Sequence, residues 1–202
     1  MNMKLKLGLL TALLALTVLP GCWTSSLQPL YKDGDQHLTY DPGLIGTWQT
    51  KTDSPLVVTG DSTADDYALQ TTDERGSYLY SGRLVQLGSY RFLDVVPSSS
   101  YDVQGRPQQT EPGYIPTHSI LKVIIEGDSL YLIAPNDEQL CAAARDNKVT
   151  VGDCIDDDFV FTAQTGSLQE FFLKHADDLE IFDAKDPERA LHRLMEKKGA
   201  AQ

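Results

Sequence analysis

The chain has few basic residues, and this shortage argues against one class of partner. It contains 17 lysine and arginine residues against 29 aspartate and glutamate residues, so its formal net charge is −12 over 202 residues. A protein that binds nucleic acid needs a basic surface to displace the counterions of the phosphates. We therefore predict that nucleic acid is not a partner.

Motifs of catalysis and of metal binding are also missing. The sequence has no Gly-x-Ser-x-Gly, no phosphate-binding loop and no His-Glu-x-x-His pattern. Its four histidines, at positions 37, 118, 175 and 192, are not spaced as ligand pairs. Acidic clusters at 61–66 and 153–158 do not match the register of a calcium loop, and we interpret them as solvated surface. The expectation is no metal, no cofactor and no enzymatic activity.

The tetrapeptide Gly127-Asp128-Ser129-Leu130 spells the signature of the GDSL esterases. In that family the serine follows the first strand of an α/β sheet, and the base histidine follows an aspartate by three residues. Neither His175 nor His192 has an aspartate at that spacing. Because Gly, Asp and Ser favour tight turns, we predict a hairpin turn here.

The N terminus carries an export signal. Lys4 and Lys6 precede an apolar stretch, 7–19, that is too short to span a membrane but fits a signal peptide. The next residues, Leu19-Pro20-Gly21-Cys22, resemble the lipobox of bacterial lipoproteins. The resemblance implies removal of residues 1–21 and a membrane anchor of diacylglycerol and palmitate-type acyl chains on Cys22. By similarity to sorting in enteric bacteria, Trp23 implies the outer membrane, facing the periplasm.

The chain has only three cysteines, of which Cys141 and Cys154 remain after the lipobox. An exported chain meets an oxidising compartment, so we favour a disulfide between them. The alternative is a pair of buried free thiols.

Short β-rich runs separated by turn signals dominate the body of the chain. We predict a tether over 22–42 that partly packs through Leu30 and Tyr31, then a single domain over 43–202. Gly88-Ser89 is a two-residue hairpin signal. The pattern indicates a barrel or a sandwich, and we expect a mainly β, antiparallel barrel of about eight strands. The predicted strands are 44–50, 55–59, 67–71, 78–87, 90–96, 119–125, 130–134, 149–151 and 159–162.

Helices are expected mainly at the C-terminal end, from about residue 167. Asn136 with Gln139 predicts a capped helix through Ala144, and Ser167 with Glu170 forms a capping box. Asp186-Pro187 predicts a third helix, with Ala190, Leu191, Leu194 and Met195 on one face. Residues 97–116 contain four prolines and are expected to form a lid or a disordered loop.

The tripeptide Gly46-Thr47-Trp48 resembles the Gly-x-Trp signature on the first strand of lipocalins. The resemblance implies that Trp48 plugs the closed end of a barrel, where an arginine packs on it. Arg83 or Arg91 is the candidate arginine. Further stretches, 30–31 with 41–48, 87–94 and 168–175, resemble a group of uncharacterised bacterial lipoproteins with lipocalin-like barrels.

Two functions follow as hypotheses. The first is an envelope module that binds a small apolar ligand in a barrel cavity. The second is an envelope scaffold, assembly factor or inhibitor that acts through protein contacts without a ligand. The candidate cavity residues, which could equally plug the barrel, are Tyr78, Tyr80, Tyr90, Phe92 and Tyr131.

Overall fold

A computed structural model describes residues 24–50, 54–108, 114–146, 148–183 and 185–194. The predicted signal peptide and Cys22, the predicted lipidation site, therefore lie outside the described residues. Within those residues, no helix is long and apolar enough to cross a bilayer. The strands are β1 Ser25–Ser26, β2 Leu38–Thr39, β3 Gly46–Gln49, β4 Leu56–Asp61, β5 Asp66–Asp73, β6 Gly76–Leu87, β7 Tyr90–Asp102, β8 His118–Glu126, β9 Ser129–Ile133, β10 Gly152–Ile155, β11 Asp158–Phe161 and β12 Leu191–Arg193. The helices are α1 Asp137–Arg145 and α2 Thr165–Lys174, and a 3-10 turn covers Pro42–Leu44.

Eight strands close into an antiparallel barrel. Strands β3 to β9 pair in chain order, and β12 joins β9 to β3. Both predicted hairpin turns are present, at Gly88-Ser89 and at Gly127-Asp128. Each glycine has a φ of +59°, a conformation that glycine adopts without steric cost. The predicted mainly β, antiparallel barrel is confirmed, and its geometry is compatible with a lipocalin-like fold.

The barrel wall separates two apolar cores. The inner core fills the barrel, and the outer core lies between the wall and the two helices. The inner residues are Leu44, Trp48, Val58, Tyr67, Leu69, Leu84, Leu93, Val95, Leu121, Val123 and Leu130. The outer residues are Leu30, Val85, Leu87, Phe92, Ile120, Leu140, Cys141, Val149, Phe159, Phe161, Leu168, Phe171, Phe172, Ala176, Ile181 and Phe182.

The segment predicted as a tether is part of the folded body from Thr24 onward. Strand β1 pairs with β8 on one side and with β11 on the other. Strand β2 pairs with β6 at Leu84 and Val85, just beyond the stretch of β6 that β5 covers. Leu30 is fully buried in the outer core. The segment therefore completes the wall by covering strand edges that would otherwise be unpaired.

The third predicted helix is wrong, because residues 191–193 form β12. The apolar positions after Asp186-Pro187 fit a helical stripe, but β3 and β9 would each keep an open edge without a strand between them. Backbone hydrogen bonds on both sides of β12 satisfy these edges and close the barrel. This long-range pairing outweighs the local preference.

The loop predicted from Pro97 begins later than expected. Strand β7 continues to Asp102, and Pro97 lies opposite Tyr80 at a β-bulge, where a residue without an N–H is tolerated. The chain then folds back on β7, since Gln108 donates its backbone N–H to the Ser100 carbonyl at 2.8 Å.

The other local predictions differ mainly at their boundaries. The side chain of Asn136 caps α1 by accepting from the Gln139 N–H at 3.1 Å, as predicted. Helix α2 begins at Thr165, so Ser167 lies inside it and is not its cap. The run predicted at 149–151 is not a strand, and β10 begins at Gly152.

Cys141 on α1 and Cys154 on β10 form a disulfide, with Cα atoms 5.2 Å apart. The bond fixes the β10–β11 hairpin to α1, which packs against both strands. The two cysteines are 13 positions apart, so the bond closes a short loop in the unfolded chain.

Replacing both cysteines by serine is expected to lower the free energy of unfolding by about 3 kcal/mol, because the unfolded chain regains the entropy of an open loop. Urea unfolding of the wild type and of the double variant measures the difference. A reductant should shift the wild-type midpoint toward that of the variant and leave the variant unchanged. Equal midpoints without reductant would contradict the prediction.

Candidate functional site

The closed end of the barrel is built on Trp48. Its side chain is fully buried, and its indole N–H donates to the Leu44 carbonyl at 2.8 Å. The guanidinium carbon of Arg193 lies 4.2 Å from the centre of the ring, which is cation–π geometry. Arg193 also donates to the carbonyls of Ile45 at 2.6 Å and Gly43 at 2.7 Å. We call these five residues the barrel plug.

The arginine on Trp48 is neither of the two candidates that the sequence suggested. Arg83 donates to the Ala64 carbonyl, and Arg91 forms an ion pair with Asp41. The sequence did not indicate Arg193 as the partner of Trp48, because the segment around it was predicted to be helical. In strand β12 Arg193 lies two residues from Leu191, so both side chains are on the same face and point toward the inner core.

Position 46, beside the plug, requires a glycine. Its φ is +145°, and a Cβ there would lie 2.7 Å from the Arg193 guanidinium. A side chain would therefore push Arg193 off the ring. Gly46 and Trp48, predicted as plug residues, lie together with the arginine that completes the group.

Tyr67 fills the barrel near the plug and is 2% exposed. The Asp41 backbone N–H donates to the Tyr67 hydroxyl at 2.7 Å, and that hydroxyl donates to the Asp41 carbonyl at 3.3 Å. Its ring stacks on Tyr40 with centroids 5.2 Å apart. Burial raises the pKa of Tyr67 to about 12, since the phenolate would lose its hydration inside the barrel.

Toward the other end the inner residues become partly exposed, and we call this end the barrel mouth. Tyr80 packs on the inner core without being fully buried, and burial raises its pKa, with Tyr78 and Tyr114 as neighbours. Tyr78 lies two residues from Tyr80 and shares its inward face of β6. The mouth is lined by Thr71, Tyr78, Tyr80, Leu132, Ala134 and Leu191.

The other three predicted cavity residues lie on the outer face of the wall. Phe92 is fully buried in the outer core, with its ring 5.3 Å from that of Phe172. The Tyr90 hydroxyl donates to Asp177. Tyr131 alternates with inner-core residues on β9 and lies below the ammonium group of Lys185. Tyr90, Phe92 and Tyr131 therefore do not line the interior.

A buried carboxylate on β7 was missed at the sequence level. Asp94 is 2% exposed and accepts from the Leu30 backbone N–H at 2.6 Å. His118 Nδ1 lies 2.6 Å from its other oxygen. The signal was a single charged residue within the apolar run 92–96. Because a buried carboxylate must be hydrogen-bonded, this group fastens the N-terminal segment and β8 to β7.

The serine of the GDSL-like tetrapeptide lies beside a histidine. Ser129 Oγ is 3.3 Å from His192 Nδ1, because the two residues are register partners on β9 and β12. His192 is exposed, and the pair lies on the outer face of the barrel, open to solvent. A catalytic serine needs an oriented base and an enclosed oxyanion site. The geometry is that of a cross-strand surface pair.

The described residues contain no group of three or more His, Cys, Asp or Glu side chains arranged for a metal ion. A scan against protein-family models gave no match, and searches of curated proteins and of solved structures gave none either. The candidate site is therefore defined by geometry alone, as a plugged barrel with an apolar, tyrosine-bearing mouth.

Arg193→Ala is expected to lower the free energy of unfolding by about 2–4 kcal/mol, because it removes the cation–π contact and leaves two carbonyls without their donor. Arg193→Lys should recover only part of the loss, since one ammonium group does not reproduce the two-pronged contact. Urea unfolding measures both variants. The control is Arg75→Ala, whose side chain is 63% exposed. Equal effects of Arg193→Ala and the control would contradict a stabilising plug.

Alkaline pH is expected to destabilise the fold through Tyr67. Its pKa is raised in the folded state, so its contribution is complete below the unfolded pKa of about 10 and is lost as pH rises toward 12. The loss amounts to about 2–3 kcal/mol over that window. Tyr67→Phe should be less stable at pH 8 but should show a flatter decline, as followed by urea midpoints. Parallel declines would refute the assignment to Tyr67.

Proposed function

We propose that this protein is a lipid-anchored module of the bacterial envelope that binds a small apolar ligand at its barrel mouth. The observation that carries the proposal is the change along the barrel, from the buried side chains of Leu44 and Trp48 in the plug to a partly exposed apolar ring at the mouth. Barrels of this size either fill with side chains or hold one small ligand. Here the inner residues are buried along most of the barrel, and space for a ligand is proposed only among the partly exposed side chains of the mouth.

The envelope location is supported by two features of the chain. The lipobox-like residues 19–22 follow a short signal-type segment. The disulfide between Cys141 and Cys154 suits an exported protein, since cytosolic thiols are kept reduced. An anchor of two or three acyl chains at Cys22 would hold the domain firmly, because each buried methylene contributes about 0.8 kcal/mol. We assign the anchor to the outer membrane, facing the periplasm.

The chemistry of the mouth sets the class of ligand. Leu132 and Leu191 offer apolar contacts, and Tyr80 offers an aromatic face. Because the plug occupies the closed end, a ligand would enter only partway and keep its polar end toward solvent. A fatty acyl chain with a polar head fits this description.

The filled closed end also favours the second function, an envelope scaffold, assembly factor or inhibitor without a ligand. The two functions differ in one measurable respect. A binding module purified from its own host should carry a lipid that is released in native mass spectrometry. A scaffold should repeatedly be free of ligand.

Filling the mouth is expected to weaken ligand binding. Thr71 lies opposite Tyr78 on the inner face, whereas Ala68 is exposed on the outer face of the same strand. Thr71→Trp should weaken the binding of a fluorescent fatty acid by about tenfold or more, equivalent to about 1.4 kcal/mol. Ala68→Trp, the matched control, should bind as the wild type does.

The thermal melting temperatures of both variants are measured as a control, and values equal to that of the wild type would show that the fold is intact. If the wild type does not bind the fatty acid, or if both tryptophan variants bind it equally, the mouth is not the ligand site and the scaffold function is favoured.

A further inference from the structure

The folded body begins almost directly after the residue that would carry the lipid. Thr24 is 3% exposed, and its hydroxyl donates to the Pro135 carbonyl at 3.0 Å. Ser25 and Ser26 form β1, hydrogen-bonded into the sheet between β8 and β11. Cys22 precedes Thr24 by two positions, so two virtual bonds of about 3.8 Å limit the distance between their Cα atoms to about 7.6 Å.

This limit leaves no room for a tether. A flexible linker of about 20 residues would have a root-mean-square span of about 25 Å and would let the domain tumble above the bilayer. With two residues, the surface around Thr24 must stay next to the lipid headgroups whenever the acyl chains are inserted. The contact is therefore imposed by chain length.

The surface at that point is formed by β1, α1 and the β10–β11 hairpin. Thr24 and Ser25 line a depression of about 260 Å³ together with Asp137, Ile155 and Phe159. Ile155, at the end of β10, is 58% exposed, and Leu27 after β1 is 49% exposed. We call this surface the β1 flank.

We propose that the β1 flank is the membrane-facing surface of the protein, so that the barrel rests on the bilayer by the part of its wall that β1 covers, with the mouth close to the headgroups. The inference rests on the proposed lipidation of Cys22. Strand β1 pairs antiparallel with His118 and Ser119, the first residues of β8, beyond the stretch of β8 that β9 covers. The anchor therefore lies beside the wall, at the end of the barrel that holds the mouth.

The opposite wall lies well away from the bilayer in this arrangement. Around the ring, β4 is four strands from β8 in either direction. Eight tilted strands about 4.8 Å apart give a backbone diameter of roughly 16 Å. Thr59 is exposed on β4 and is therefore a position on the far wall.

Electrostatic attraction does not explain the orientation. The tip of the β10–β11 hairpin carries Asp156, Asp157 and Asp158, of which Asp157 pairs with Arg145. Such a surface is not attracted to anionic lipids. The contact with the bilayer depends on the short connection to Cys22 and on the exposed Ile155. Because it does not depend on anionic lipids, vesicles of zwitterionic phosphatidylcholine are the suitable test membrane.

The experiment measures tryptophan quenching by brominated phosphatidylcholine in vesicles that hold the mature, lipidated full chain. In a Trp23→Phe background, one variant carries Ile155→Trp on the β1 flank and its matched control carries Thr59→Trp on the far wall. The buried Trp48 contributes equally to both. We expect a loss of fluorescence for Ile155→Trp beyond the background, and none for Thr59→Trp.

A third variant inserts ten Gly and Ser residues between positions 23 and 24 of the Ile155→Trp chain. This linker spans about 18 Å, so the loss of fluorescence should disappear although the protein stays anchored. Vesicle flotation and the intact mass report the anchor separately. Equal quenching at both positions in floating protein would overturn the orientation alone. Protein that lacks the lipid mass and does not float would overturn the proposed anchor, and the orientation with it.

Discussion

The central constraint on this fold is that its barrel wall is apolar on both faces along β6, β7 and β8. Leu84 and Val85 are adjacent and fully buried, yet they belong to different cores, and Phe92 and Leu93 repeat the arrangement on the next strand. Since side chains alternate across a strand, each face needs its own covering layer. The inner faces fill the barrel, and the outer faces bind α2 and the N-terminal segment. A plugged barrel and a tightly docked N terminus are therefore consequences of one pattern.

The same pattern limited what the sequence could predict. Turn signals are local, so the hairpin at Gly88-Ser89 and the cap at Asn136 were predicted correctly from a few residues. A sequence shows which face of a strand an aromatic side chain lies on only where the residues of the other face are polar. In the run 90–96 both faces are buried, and the sequence could not show that Phe92 packs on Phe172 and not inside the barrel.

Contacts between distant parts of the chain were the other limit. Arg193 contacts Trp48 because β12 closes the barrel. Residues 191–193 form a strand only because β3 and β9 offer unpaired edges on either side of them. Those edges exist only once the other seven strands have paired. The hydrogen bond from the Leu30 backbone N–H to the Asp94 carboxylate is equally non-local. A resemblance to the Gly-x-Trp signature supplied Trp48, while its partner arginine had to come from the structure.

The anchor and the barrel mouth, as proposed, belong to one rigid body. The segment that carries the lipid becomes β1, is fastened through Leu30 to Asp94, and then covers β6 through β2. A domain on a long tether meets ligands in the aqueous phase, whereas a barrel held by its wall keeps its mouth at a fixed height beside the headgroups. Partial entry of an acyl chain suits that position, because its polar end remains at the interface. The plug and the short connection thus favour the same kind of ligand for independent reasons.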